Sequence, residues 1–195
     1  MILASSITWY SARAGGLVAF ALLTASVALG LLLSGRVRNG AWPRFAIEDV
    51  HRFAGLLTGV FIGLHGASLL VDSYYPFTLG SLLVPGAAPY RPLATALGIV
   101  AAELLVALAL TNRFRKRLSY GFWRRAHYLN FAVWLLVLVH GLTAGTDSRT
   151  VWGLSYFATA AGLVAGLTLW RIVRVRRPAR LAGSTPGATG PAHAS

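Results

Sequence analysis

Long apolar runs alternate along this chain with short polar and basic segments. Five of the runs, over residues 14–33, 51–71, 93–111, 127–144 and 151–170, approach or reach the ~20 residues needed to cross roughly 30 Å of hydrocarbon. They predict an all-α integral membrane bundle of five transmembrane helices surrounded by lipid. Helix one runs from about Gly15 to Leu33, with Trp9 and Tyr10 placed for an interfacial aromatic belt. Helix two is expected from near His51 to near Val71, after a loop from Ser34 to Val50. Pro76, Pro85, Pro89 and Pro92 then break the chain into a loop, whose Leu79, Leu82, Leu83 and Val84 are expected against the bundle or in the interface. Helix three covers Leu93 to Thr111 and helix four runs from about His127 to Leu142. A tight turn, Gly145 to Thr150, leads to helix five, Val151 to Trp170. From Pro178 the chain is Pro, Gly, Ala, Ser and Thr, so residues 178–195, His193 among them, are expected to form a disordered tail without a role at the site.

Composition agrees: 56% of residues are hydrophobic and 12% charged, far from the quarter-charged make-up of a soluble domain. A net charge of +13 raises nucleic acid as a partner, but the cations sit in short loops between apolar runs, and no nucleic-acid partner is expected. Their placement reads as topology. Arg36, Arg38, Arg44 and Arg52, six residues between Arg113 and Arg125, and five between Arg171 and Arg180 fall on one side, against Arg13, Arg91 and Arg149 on the other. By the positive-inside rule the N-terminus is outside and the C-terminus cytoplasmic. No basic segment precedes the first apolar run, so it is expected as an uncleaved helix. The Arg-, Ala- and Gly-rich composition with a single lysine fits a high-GC bacterium and its plasma membrane. Absence of cysteine excludes thiolate metal sites, iron–sulfur clusters and covalently attached haem.

Four of the five histidines lie in two spans: His51 and His65 in helix two, His127 and His140 in helix four. One span separates these helices, so they run in the same direction and offer two imidazoles at each of two depths. Separations of 14 and 13 residues correspond to roughly 20 Å of rise, room for two stacked macrocycles. Haem iron takes one axial imidazole on each face, which this pattern supplies twice. Zinc wants four convergent ligands, and each level has two histidines with no adjacent carboxylate at ligand spacing. Bis-histidine haem b at both levels is the favoured reading; a bare metal and purely structural histidines are the alternatives. One difficulty is geometric. A 14-residue step returns to within about 40° of the same helix face, but a 13-residue step lands roughly 140° away. Helix four must therefore be tightened or kinked, or the two haems rotated relative to each other.

The segments His51-Arg52-Phe53-Ala54-Gly55 through His65-Gly66, and Arg124-Arg125-Ala126-His127-Tyr128 through His140-Gly141, resemble the ferric-reductase-like transmembrane domain. That group includes ferric reductases, NADPH oxidases and the haem-binding membrane subunit of bacterial periplasmic methionine sulfoxide reductase. The resemblance covers about residues 8–172. Asp72-Ser73-Tyr74-Tyr75-Pro76-Phe77 and Gly145-Thr146-Asp147-Ser148 look like its short bacterial members. It implies transmembrane electron transfer through two haems to an acceptor such as ferric ion, oxygen or a periplasmic protein. Nothing in the sequence resembles a Gly-x-Gly-x-x-Gly loop opening a helix. Electrons are accordingly expected from a partner flavoprotein, an FMN at the cytoplasmic surface or a membrane quinol. The other reading is a haem-bearing anchor subunit that couples the quinol pool or a flavoprotein to a separate reductase.

Further candidates sit around this quartet. Asp72 and Asp147 each follow a histidine by seven residues and form a candidate external cation site, against simple helix-end polarity. Arg52, Arg124 and Arg125 beside the inner histidines, and Arg13 among the outer cations, are candidate partners for haem propionates, because a guanidinium forks onto a carboxylate. Glu103, mid-helix, is either a proton relay or a side chain bonded to a neighbouring helix. Gly55, Gly59 and Gly63 suit close approach of a helix or a macrocycle. Trp134 lies between the two histidine levels, either as a bridge or facing lipid.

Overall fold

The computed structural model describes residues 2–34 and 43–176, with side chains from residue 7 to residue 174. The expected disordered tail, Arg36 and Arg38 lie outside the described residues. The elements are α1 (Ile2–Ser34), α2 (Arg44–Leu70), a short α3 (Leu79–Leu83), α4 (Pro92–Arg113), α5 (Tyr120–Tyr128), α6 (Asn130–Ala144) and α7 (Val151–Arg176), with no strand among the described residues. Among the described residues, five spans are long and apolar enough to cross a membrane: α1, α2, α4, α5 with α6, and α7.

The bundle is apolar outside as well as inside. On α2, Phe53, Leu56 and Val60 are 59%, 66% and 58% exposed, as are Val106 and Leu110 of α4 and Leu163 and Leu169 of α7 to similar degrees. So much contiguous exposed apolar surface suits hydrocarbon, not water. The first span is the most buried of the five. A helix apolar on every side belongs in the interior, and Phe20, Leu23, Val27 and Leu31 of α1 form the core with Ala101 and Leu108 of α4, Val133 and Trp134 of α6, and Phe157, Ala160 and Val164 of α7.

Several boundaries differ from the sequence expectation: α1 begins at Ile2 and not near Gly15, the fourth span begins at Tyr120 and not near His127, and α7 runs on to Arg176 and not to Trp170. The second span starts at Arg44, not at His51, because Pro43 sits at the N-cap with φ −68° and ψ 146° and Arg44 pairs with Glu48 one turn on, at 3.1 Å. His51 is therefore two turns inside the helix. The fourth span is broken at Leu129, whose amide bonds back three residues to Ala126 O at 2.9 Å, while the Asn130 side chain donates to His127 O at 2.7 Å. A turn closed over three residues adds about 20° per residue relative to an α-helix. That extra rotation carries His127 part of the way back toward the face of His140, a local tightening that was one of the alternatives the 13-residue spacing left open.

Candidate functional site

The four intramembrane histidines meet in two pairs. At the arginine-rich end, the rings of His51 and His127 are 6.1 Å apart between centroids and inclined at 70°; at the far end, those of His65 and His140 are 6.5 Å apart and inclined at 80°. Metal–imidazole bonds of about 2 Å on each side, plus about 1 Å from nitrogen to ring centre, put the centroids of two trans imidazoles about 6 Å apart. Both pairs have the separation that one iron between them requires.

Hydrogen bonds decide which ring nitrogen is available. Nδ1 of His65 lies 2.7 Å from the carbonyl of Ala12, Nδ1 of His51 is 2.8 Å from that of Ser26, and Nδ1 of His140 is 2.8 Å from that of Ala94. A carbonyl oxygen only accepts, so each Nδ1 carries a proton, and in the neutral ring Nε2 then keeps its lone pair. No Nε2 of the quartet has a hydrogen-bond partner among the described residues. Metal-ligating histidines characteristically donate their other N–H to a carbonyl in this way. His127 is held differently: the indole of Trp123 stacks on it at 5.3 Å and 25°, and Trp123 Nε1 donates to Asn112 Oδ1 of α4 at 2.8 Å. The orienting carbonyls belong to α1 and α4, and a backbone atom leaves no residue-type signal in a sequence.

Between His65 and His140 opens a cavity of about 320 Å³, walled largely by apolar groups such as Phe20, Ile62, Ile99 and Phe157. Cofactor sites run from about 300 to 1,000 Å³ with such linings. The donor set, paired at both levels and with Nδ1 of His51, His65 and His140 bonded to carbonyls, fits a bis-imidazole haem; among the described residues no cluster of three or more His, Asp, Glu or Cys side chains offers a bare-metal site.

The other candidates fall around this frame. Arg13 lines the far-end cavity and forks onto Asp147, with Nε 3.0 Å from Oδ2 and the second nitrogen on Oδ1. Asp72 accepts from Thr8 Oγ1 at 2.8 Å and from the amides of Tyr74 and Tyr75 at 2.8 and 3.3 Å. Burial pushes its carboxyl up, but these three bonds outweigh that and hold it below the usual carboxylate range. Protein groups thus engage both aspartates. Arg52 is exposed beside Asp49 at 3.8 Å, Arg124 lies over the Tyr128 ring, and Arg125 donates to Gly121 O at 3.2 Å. Arg91 donates to Thr143 O. Glu103 is exposed on the outward side of α4, without a hydrogen bond or ion pair among the described residues. Of the three glycines singled out on α2, Gly55 approaches Ser26 of α1, whereas Gly59 and Gly63 face open space. Trp134 is buried, not lipid-facing: it stacks on Phe20 at 6.1 Å and donates to Thr24 Oγ1 at 3.0 Å.

Five apolar spans, with four intramembrane histidines brought into two facing pairs, define a multi-pass helical membrane protein. The chain belongs to the family of the ferric reductase like transmembrane component, which it matches over residues 15–139. That match contains His51, His65 and His127 and ends one residue before His140. Membership points to membrane electron transfer. No curated protein and no solved structure matches the chain.

Proposed function

We propose that the chain is a di-haem b membrane cytochrome, carrying electrons across a bacterial plasma membrane from a cytoplasmic or quinol donor to an external acceptor. The observation that carries this reading is the repeated separation of about 6 Å between facing imidazoles, at two depths, with Nδ1 engaged and Nε2 free at three of the four rings. Haem, when bound, supplies one-electron ferric/ferrous chemistry. His51 and His127 would ligate it at the cytoplasmic level, His65 and His140 at the outer level. The carbonyls of Ser26, Ala12 and Ala94 orient three of the four rings, and the apolar walls of the outer cavity exclude water. Between the levels, Phe20, Thr24 and Trp134 form a packed layer.

The test is haem per chain in the purified protein, with optical and low-temperature EPR spectra. Two haems per chain are expected, both low-spin, with the strongly anisotropic ferric signals that nearly perpendicular imidazole planes produce. Replacing His65 or His140 with alanine should remove one haem, and replacing His51 or His127 the other. Protein purified without a Soret band would end the proposal.

A further inference from the structure

The three carbonyl-bound histidines share a second feature. His65 bonds to Ala12 O, and Gly16 stands four residues further along α1; His51 bonds to Ser26 O, and Gly30 follows by four; His140 bonds to Ala94 O, and Gly98 follows by four on α4. In an α-helix the carbonyl of residue i receives the amide of residue i+4, whose Cβ leans back toward the helix N-terminus. That Cβ occupies the space through which an imidazole must reach the carbonyl. The distances agree. A Cβ at Gly98 would lie 2.8 Å from Cε1 and Nδ1 of His140, one at Gly16 would lie 3.2 Å from Nδ1 of His65, and one at Gly30 would lie 3.4 Å from Cε1 of His51.

The two pairs on α1 are themselves 14 residues apart, the separation of His51 and His65 on α2, so each level of α2 meets one pair. On α4 Gly98 is the sole glycine, and His127, at the level α4 leaves without one, is the ring that stacks on Trp123 instead.

We propose that Ala12/Gly16, Ser26/Gly30 and Ala94/Gly98 are positioning pairs, in which the glycine admits the ring and the carbonyl four residues earlier fixes its tautomer and plane for ligation through Nε2. This inference rests on the haem reading above. Alanine is the better helix former, so a loss on Gly→Ala exchange would not come from helix propensity.

The experiment compares purified full-length wild type with Gly98→Ala, Gly16→Ala and Gly30→Ala. Gly162→Ala, where an added Cβ meets nothing within 4 Å, is the control. Haem per chain and low-temperature EPR are read for each. Gly98→Ala should lose the far-end low-spin signal and about half the haem; Gly16→Ala should keep the haem but shift that signal. Gly30→Ala should perturb the other signal least, and the control should match wild type. A Gly98→Ala/His140→Ala double variant should equal His140→Ala in haem content and thermal stability, because the colliding ring is gone.

Recovery of folding in that double variant, where Gly98→Ala alone fails to accumulate, would support the proposal on its own. Two haems with wild-type spectra in Gly98→Ala would overturn it, as would a double variant less stable than His140→Ala, which would trace the effect to backbone packing. Wild type without haem would overturn the parent reading as well, whereas a silent Gly98→Ala in a two-haem protein overturns this inference alone.

Discussion

Arg13 and Asp147, 134 residues apart, close the far end of the bundle: the guanidinium of α1 forks onto a carboxylate in the turn that precedes α7, beside the cavity between His65 and His140. Asp147 is almost fully buried and Arg13 about two-thirds so, at 11% and 32% side-chain exposure. Removing one partner strands the other in a poorly hydrated site. Asp147→Asn or Arg13→Gln should each cost about 1–3 kcal/mol, read by thermal or denaturant unfolding in detergent. The double variant should cost less than the sum; strict additivity would show the pair to be uncoupled.

Trp134 makes one polar contact, to Thr24 Oγ1 at 3.0 Å, in the layer between the histidine levels. Trp134→Phe keeps the stacking on Phe20 and loses that bond, so a loss of about 1 kcal/mol is expected. Trp134→Ala also opens a cavity and should cost about 3–5 kcal/mol. Equal losses from the two substitutions would mean that packing on Phe20 contributes nothing.

Asp72 supplies the pH prediction. Its carboxyl is held below its usual range by Thr8, Tyr74 and Tyr75, so the stability it contributes is present above the ordinary carboxylate pKa and is lost as pH falls through the depressed one. Unfolding followed from neutral to acidic pH should show wild type losing this advantage over Asp72→Asn at the acid end. A stability gap between the two that does not change with pH would contradict the assignment.

Trp123 orients His127 by stacking, while the other three rings are held by carbonyls. Trp123→Leu should therefore alter the EPR signal of the His51/His127 level and leave that of the His65/His140 level unchanged. A change confined to the far-end signal would show the stack to be irrelevant to His127.

Five spans and the two-level histidine pattern were legible in the amino-acid order, because hydrophobic run length and the direction of alternate helices need no tertiary information. The 13-residue step from His127 to His140 posed a choice between a distorted helix and rotated haems, and the structure shows a tightened turn at Leu129. Helix starts were less accessible: the run of residues 44–50 is polar enough to read as loop, yet Pro43 and the Arg44–Glu48 pair make it helix.

What tertiary structure alone decided is who surrounds each ring. Sequence spacing brought the imidazoles to common depths, but it could not say that α1 runs through the centre, lending the carbonyls of Ala12 and Ser26 to α2. Nor could it assign Arg13 to Asp147 or turn Trp134 inward. Such contacts join residues that are tens to more than a hundred positions apart, through backbone atoms or side chains whose direction depends on helix rotation. Hydropathy fixes which segments enter the bilayer; only packing fixes how each helix is rotated within it.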